Sequence, residues 1–161
     1  MLLTSALSTV ALQTLTTTQI AGMTTEQAAS LSDAKIVALT TSQVKGLTTA
    51  QISALTTAQV ASLETADLAA LTSVQLAAIS TDAVAELTTA QVAALGTAQV
   101  VALETADFAS ISTTSLAALK TAQVVALTTD EIVALTTAQT QAITSAQAFA
   151  LGTAQVQALE T

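Results

Sequence analysis

The sequence contains no cysteine, proline, tryptophan, tyrosine, histidine or arginine, and two phenylalanines are the only aromatic residues among its 161. Without cysteine there is no disulfide, no thiolate nucleophile and no Cys-based zinc site, and the redox compartment is left undetermined. Without histidine the commonest general base and metal ligand are missing. Three lysines stand against 11 acidic residues, giving a net charge of −8. That balance excludes the clustered basic side chains that nucleic-acid binding requires. Long apolar runs are absent too, because Thr, Ser and Gln recur every few positions, so no membrane span of about 20 residues is present. The first 25 residues are uncharged and lack the basic start of a signal peptide. With 52% hydrophobic residues and a mean hydropathy of +0.67, the chain is nonetheless too apolar to be disordered.

What the chain does have is a gapless eight-residue repeat, of which Leu47-Thr48-Thr49-Ala50-Gln51-Ile52-Ser53-Ala54 is a specimen. From Leu7 to Leu159, in steps of eight, every residue is Leu, Ile or Met. The third position is Thr, Ser or Asp, the fifth is usually Gln, the sixth is mostly Val, Ile or Leu, and the eighth is nearly always small. Only the second and seventh positions vary freely, admitting Glu64, Gly96, Lys120, Lys45, Gln141 and Phe149.

Such a unit cannot be one continuous helix. At ~100° per residue the leucine advances about 80° around the helix per octad, so its side chains would spiral instead of lining one face. A β-solenoid is the alternative: Thr, Val and Ile favour it, whereas Ala, Gln and the scarcity of turn glycine oppose it. The expected fold is all-α, a solenoid of very short capped helices with one helix per octad. Taking the first Thr as N-cap places Gln at N3, a capping box, and Leu and Val at N′ and N4, a hydrophobic staple. A cap one residue later, at the stricter third position, is the other possible register. Helices this short are unstable alone in water, so stacking must hold them.

Two octads are expected to form one 16-residue coil, about ten coils along a single solenoid spanning residues 1–161, with octads in register from Leu7 to Thr161 and an atypical start over 1–6. The sixth-position aliphatic and the following Leu would form the inner stripe. Small residues at the fourth and eighth positions would form a second strip of close backbone approach, leaving the second and seventh positions in solvent.

Candidate chemistry is sparse. Glu64-Thr65-Ala66-Asp67 recurs as Glu104-Thr105-Ala106-Asp107, and such acids in a first helical turn complement the helix dipole better than they suggest a metal or acid–base pair. Asp82 with Glu86, and Asp130 with Glu131, read as surface charge, although Glu86 occupies a normally small eighth position. Hydroxyl groups abound but none has an activating partner in view, so no catalytic, cofactor-binding or metal-ligating residue is assigned and the chain reads as a non-enzyme with no small-molecule substrate. Phe108 falls at a core position. Phe149, at the variable seventh position, is the candidate exposed contact.

The Leu-Thr-Thr-Ala-Gln-Val-Ala-Ala-Leu unit resembles the octapeptide arrays of large bacterial surface or secreted proteins described as adhesin-like, RTX-like or haem-utilisation proteins. A haem role finds no support, because only Met1 and Met23 are available as axial ligands. Leu119 to Leu127, with Lys120 in place of Thr, resembles the first helix of TAL-effector DNA-binding repeats, but the base-reading loop and basic residues are absent. The resemblance implies a structural segment, acting as spacer, stalk or scaffold, of a larger bacterial extracellular or cell-surface protein, in contact with its own copies or with other surface proteins. Two other roles fit the repeat: surface or ligand binding through threonine rows, such as ice binding, which a thermal-hysteresis assay would reveal, and a protein-interaction solenoid presenting the second and seventh positions.

Overall fold

In a computed structural model, which describes residues 7–159, the chain forms nineteen short helices from α1 (Thr9–Gln13) to α19 (Thr153–Ala158), with no strand among the described residues. The all-helical solenoid is therefore the fold, and the β-solenoid alternative falls. Residues 1–6, expected to form an atypical start, and Thr161 lie outside the described residues.

Helix α7 (Thr57–Ser62) shows how one octad folds. Thr56 is extended, with φ −73° and ψ 160°. Its Oγ1 accepts the Gln59 N–H at 3.2 Å, while Gln59 Oε1 accepts the Thr56 N–H at 2.8 Å, closing the capping box. An α-type bond from Val60 N–H to Thr56 O at 3.0 Å opens the helix. The tighter bond from Leu63 N–H to Val60 O at 3.1 Å then ends the helix. Leu63 swings to φ −61° and ψ 136°, and the next octad begins. Two extended residues, Leu63 and Glu64, thus link α7 to the next helix. No described residue has a positive φ, so the linkage needs no glycine, which removes the main objection to a chain so poor in turn residues.

Every described helix begins at the third position of its octad, so the N-cap is the second position, not the third. Residues that cap poorly are tolerated there because the fifth-position Gln holds the N-cap amide whatever its side chain. Lys120, Gly96 and Gly152 each donate their backbone N–H to Oε1 of the Gln three residues on, at 2.6, 2.7 and 2.9 Å.

The expected two-octad coil is not what forms. Helix α4 (Asp33–Ala38) packs on α7, α7 on α10 (Thr81–Ala85), α10 on α13 (Thr105–Ser110) and α13 on α16 (Thr129–Val133). Each helix meets the third one after it, and one superhelical turn takes between three and four octads. The physical reason lies in the link. A two-octad coil requires the chain to reverse between helices, and two successive extended residues bend it without reversing it.

The sixth and first positions form the core: Val60, Leu63, Leu68, Leu71, Leu76 and Ile79 belong to one continuous buried column, and Phe108 is fully buried within it. The proposed Ala strip is corrected in part. Eighth-position residues such as Ala54 and Ala94 are half-buried, but fourth-position residues such as Ala50 and Ala90 face solvent. The third buried position of the octad is instead the Gln.

Close approach at the eighth position is sharpest at Gly46, where an added Cβ would lie 3.0 Å from Thr17 Cβ and 3.2 Å from Thr17 Cα. Glu86 escapes this restriction because its octad opens on a surface cleft lined by Thr57, Ala58, Ala61, Asp82 and Ala85, leaving the longer chain in solvent. Gly46→Ala is therefore expected to destabilise the fold by about 1–3 kcal/mol through overpacking, measured by chemical denaturation. Gly96→Ala, whose Cβ would meet nothing nearer than 3.5 Å, is the tolerated control.

Candidate functional site: a buried glutamine seam

The functional unit is a row of side chains that the sequence marks only as "usually Gln". A five-residue helix is almost all ends: its amides lack partners at the start and its carbonyls at the finish. The N3 glutamine serves both needs at once. In α11 (Thr89–Ala94), Gln91 is 2% exposed, and its Oε1 accepts the Thr88 N–H at 2.9 Å. Its Nε2 points the other way and donates to Val60 O, Ala61 O and Leu63 O at 3.3, 3.2 and 2.9 Å. Those carbonyls end α7, one superhelical turn earlier. One amide therefore caps the start of its own helix and the end of another.

The same bridge recurs in fixed register. Gln51 reaches Ile20 O and Met23 O, Gln99 reaches Leu68 O and Leu71 O, Gln123 reaches Val92 O and Leu95 O, and Gln139 reaches Phe108 O and Ile111 O. Each acceptor pair lies 31 and 28 residues behind its donor. Gln43, Gln59, Gln147 and Gln155 extend the seam to most of the solenoid. The sequence does signal this role. A polar residue repeated between apolar ones, one step before the core aliphatic, is a residue with buried partners.

The two Glu-Thr-Ala-Asp segments take a variant of the same role. Asp67 at the N3 position of α8 (Thr65–Ala70) is buried and accepts a hydrogen bond from Thr41 Oγ1 at 2.7 Å. Asp107 on α13 likewise accepts from Thr81 Oγ1 at 2.6 Å, and also from the Glu104 N–H at 3.2 Å. Each shorter carboxylate holds a third-position threonine, 26 residues back, where Gln would hold carbonyls. The reading of these acids as helix-dipole complements was thus incomplete: they also tie successive turns. The structure keeps the two segments apart, on α8 and α13, and among the described residues no group of three or more acidic side chains is placed to hold a metal ion.

Asp82 is exposed, as is Asp130, in keeping with surface charge, but Glu131 is buried, contrary to that reading. Burial pushes its carboxyl above the usual carboxylate range, with the nearby Asp130 charge adding to the rise, while hydrogen bonds from the Thr128 amide and hydroxyl oppose it. Phe149, the candidate contact residue, is 91% exposed on α18 (Ser145–Ala150).

These features define an all-α solenoid built from octapeptide repeats and sealed by side-chain amides. A family model of the ALTTAQ repeat matches residues 34–64, 60–97 and 100–137, and the chain belongs to that repeat family. No curated protein and no solved structure matches it. No described helix is long and apolar enough to cross a membrane.

Replacing Gln91 with Ala leaves one amide and up to three carbonyls of two helices without their partner. The expected loss is about 2–4 kcal/mol, against about 1 kcal/mol for Thr88→Ala, which removes only the N-cap hydroxyl. Urea titrations followed by far-ultraviolet circular dichroism separate the two, and equal losses would contradict the bridging role.

Proposed function

We propose that the chain is a non-enzymatic structural segment, a spacer, stalk or scaffold, within a larger bacterial extracellular or surface protein. The observation that carries this reading is the division of each octad into a constant interior and an interchangeable exterior. From Leu39 to Ile132 the first, fifth and sixth positions are buried in every octad, while exposed positions along the chain accept Val, Gln, Lys, Glu or Phe. A fold in which each turn contacts only its neighbours has additive cohesion and a length set by repeat number. That property suits a ruler. The membership in a repeat family supports the same reading.

Self-association belongs to this proposal, and one face of the solenoid suits it. Helices α9 (Ser73–Leu76), α12 (Thr97–Val100), α15 (Thr121–Ala126) and α18 pack one on the next. They carry the exposed apolar residues Val74, Val125 and Phe149, with Val101 directly after α12, and neither they nor their N-caps hold a carboxylate. In a chain of net charge −8, a second copy meets least repulsion along this row. The threonine-row alternative draws on a different observation, since third-position residues such as Thr49, Thr57, Thr89, Thr97 and Thr121 are all exposed.

Two experiments test the proposal. Deleting three consecutive internal octads, for example 80–103, should leave cooperative unfolding and a helical spectrum intact while shortening the particle in proportion, as read by small-angle X-ray scattering. A collapse of the whole fold would argue against a modular spacer. Sedimentation velocity over a concentration series should show association of the unaltered chain that Phe149→Glu reduces at least tenfold, with the circular dichroism unchanged. A chain that stays monomeric throughout would remove self-association from the proposal.

A further inference from the structure

Glu131 occupies the slot that Gln fills elsewhere in the seam. Its Oε2 keeps the first half of the role, accepting the Thr128 N–H at 2.6 Å and the Thr128 hydroxyl at 2.8 Å. The second half is missing: Oε1, where a glutamine would carry its Nε2, is buried with no hydrogen-bond partner. The residue as a whole is 3% exposed. The register of the seam identifies what lies across the gap. Flanking members Gln123 and Gln139 donate to carbonyls 31 and 28 residues behind them, and for position 131 those are Val100 O and Leu103 O, at the end of α12. An ionised carboxylate sets an acceptor against acceptors, and only a hydrogen between them makes the contact favourable.

We propose that Glu131 is a proton-operated joint between successive turns of the solenoid. Taking up one proton on Oε1 converts that oxygen into a hydroxyl donor to Val100 O or Leu103 O, while Oε2 continues to accept from Thr128. The bridge then closes as a one-hydrogen version of the glutamine bridge. Losing the proton reopens it and leaves a buried negative charge at the joint. The elements packed against α16 do not supply a compensating cation. On α13 the buried acid is Asp107, held by Thr81 and the Glu104 amide, and Glu104 itself is exposed. Helix α19 carries no charged residue, nor does α12 behind it, and on α16 itself the neighbour is the acidic Asp130. Burial raises the carboxyl in the direction this geometry requires.

The sign follows from linkage. A carboxyl with a raised value in the folded state contributes stability that is fully present below its unfolded value and is lost as pH rises through its folded value. The diagnostic quantity is the difference between the unaltered chain and Glu131→Gln, which supplies permanent N–H donors at the same volume, because any pH dependence the two chains share cancels in it. The experiment is urea unfolding of both chains between pH 4 and 8, together with the titration of the Glu131 carboxyl carbon by NMR. The glutamine variant should be the more stable at pH 7.5, by at least tenfold in the folding constant for each unit by which the carboxyl is raised. The advantage should shrink steadily as the pH falls, and the carboxyl carbon should titrate above the ordinary glutamate range. A pH-independent difference between the chains, or an ordinary or lowered titration of Glu131, would overturn the proposal.

Discussion

Every other feature of this structure depends on how a helix of about five residues disposes of its ends. Helices of ordinary length spread the cost of their unpaired amides and carbonyls over many internal bonds, but here nearly every backbone group belongs to an end. The fifth-position glutamine resolves both ends with one planar group whose acceptor and donor sides point in opposite directions. In the pairing of Gln51 with Thr48 on one side and with Ile20 and Met23 on the other, the local cap and the tertiary contact are the same side chain. Secondary structure and stacking therefore form together, and a single turn of this solenoid has little reason to be stable without its neighbour.

This coupling explains which parts of the fold can be read from the sequence. The octad, the single helix per octad, the capping box and the Leu/Val stripe are local properties, visible in the identity of residues within eight positions of one another. Phe108 at a sixth position is buried for the same reason that Val60 and Leu68 are. The number of octads per turn is not local. It is set by the angle through which Leu63 and Glu64, extended in succession, redirect the chain, and by the reach of an amide across to carbonyls 28 and 31 residues back. No residue identity within one octad encodes that distance, and a repeat this regular offers no break in pattern from which to infer it.

Of the seam itself, half was legible. The Oε1 side follows from capping-box spacing, whereas the Nε2 side is seen only once the preceding turn is in place. The same blindness applies to the acids. Asp67 and Asp107 sit where first-turn acids commonly complement a dipole, and nothing in Glu-Thr-Ala-Asp reveals that Thr41 and Thr81 wait across the turn. Glu131 next to Asp130 looks like surface charge because their exposure differs only through the fifth-versus-fourth position rule, and that rule becomes certain only when the fifth position proves to be buried. That Glu86 is exposed while Ala54 and Ala94 at the same octad position are half-buried is likewise a matter of where one cleft opens.

Because neighbouring turns interact through one slot per octad, the residue in that slot grades the strength of each joint. Gln91 and Gln59 place donors on three carbonyls, Asp67 and Asp107 hold a threonine hydroxyl instead, and Ser115 reaches only Leu87 O at 3.5 Å. Ala83 has no side-chain donor or acceptor to offer. Ala83 and Ser115 leave the helix start and the leucine column in place, since Ser80 and Ser112 cap their helices and the first and sixth positions stay buried without them. The solenoid can therefore vary its internal cohesion along its length without varying its shape. In an additive, nearest-neighbour fold, the weakest joints are where opening begins, and they are written in the sequence as the octads whose fifth residue is not glutamine.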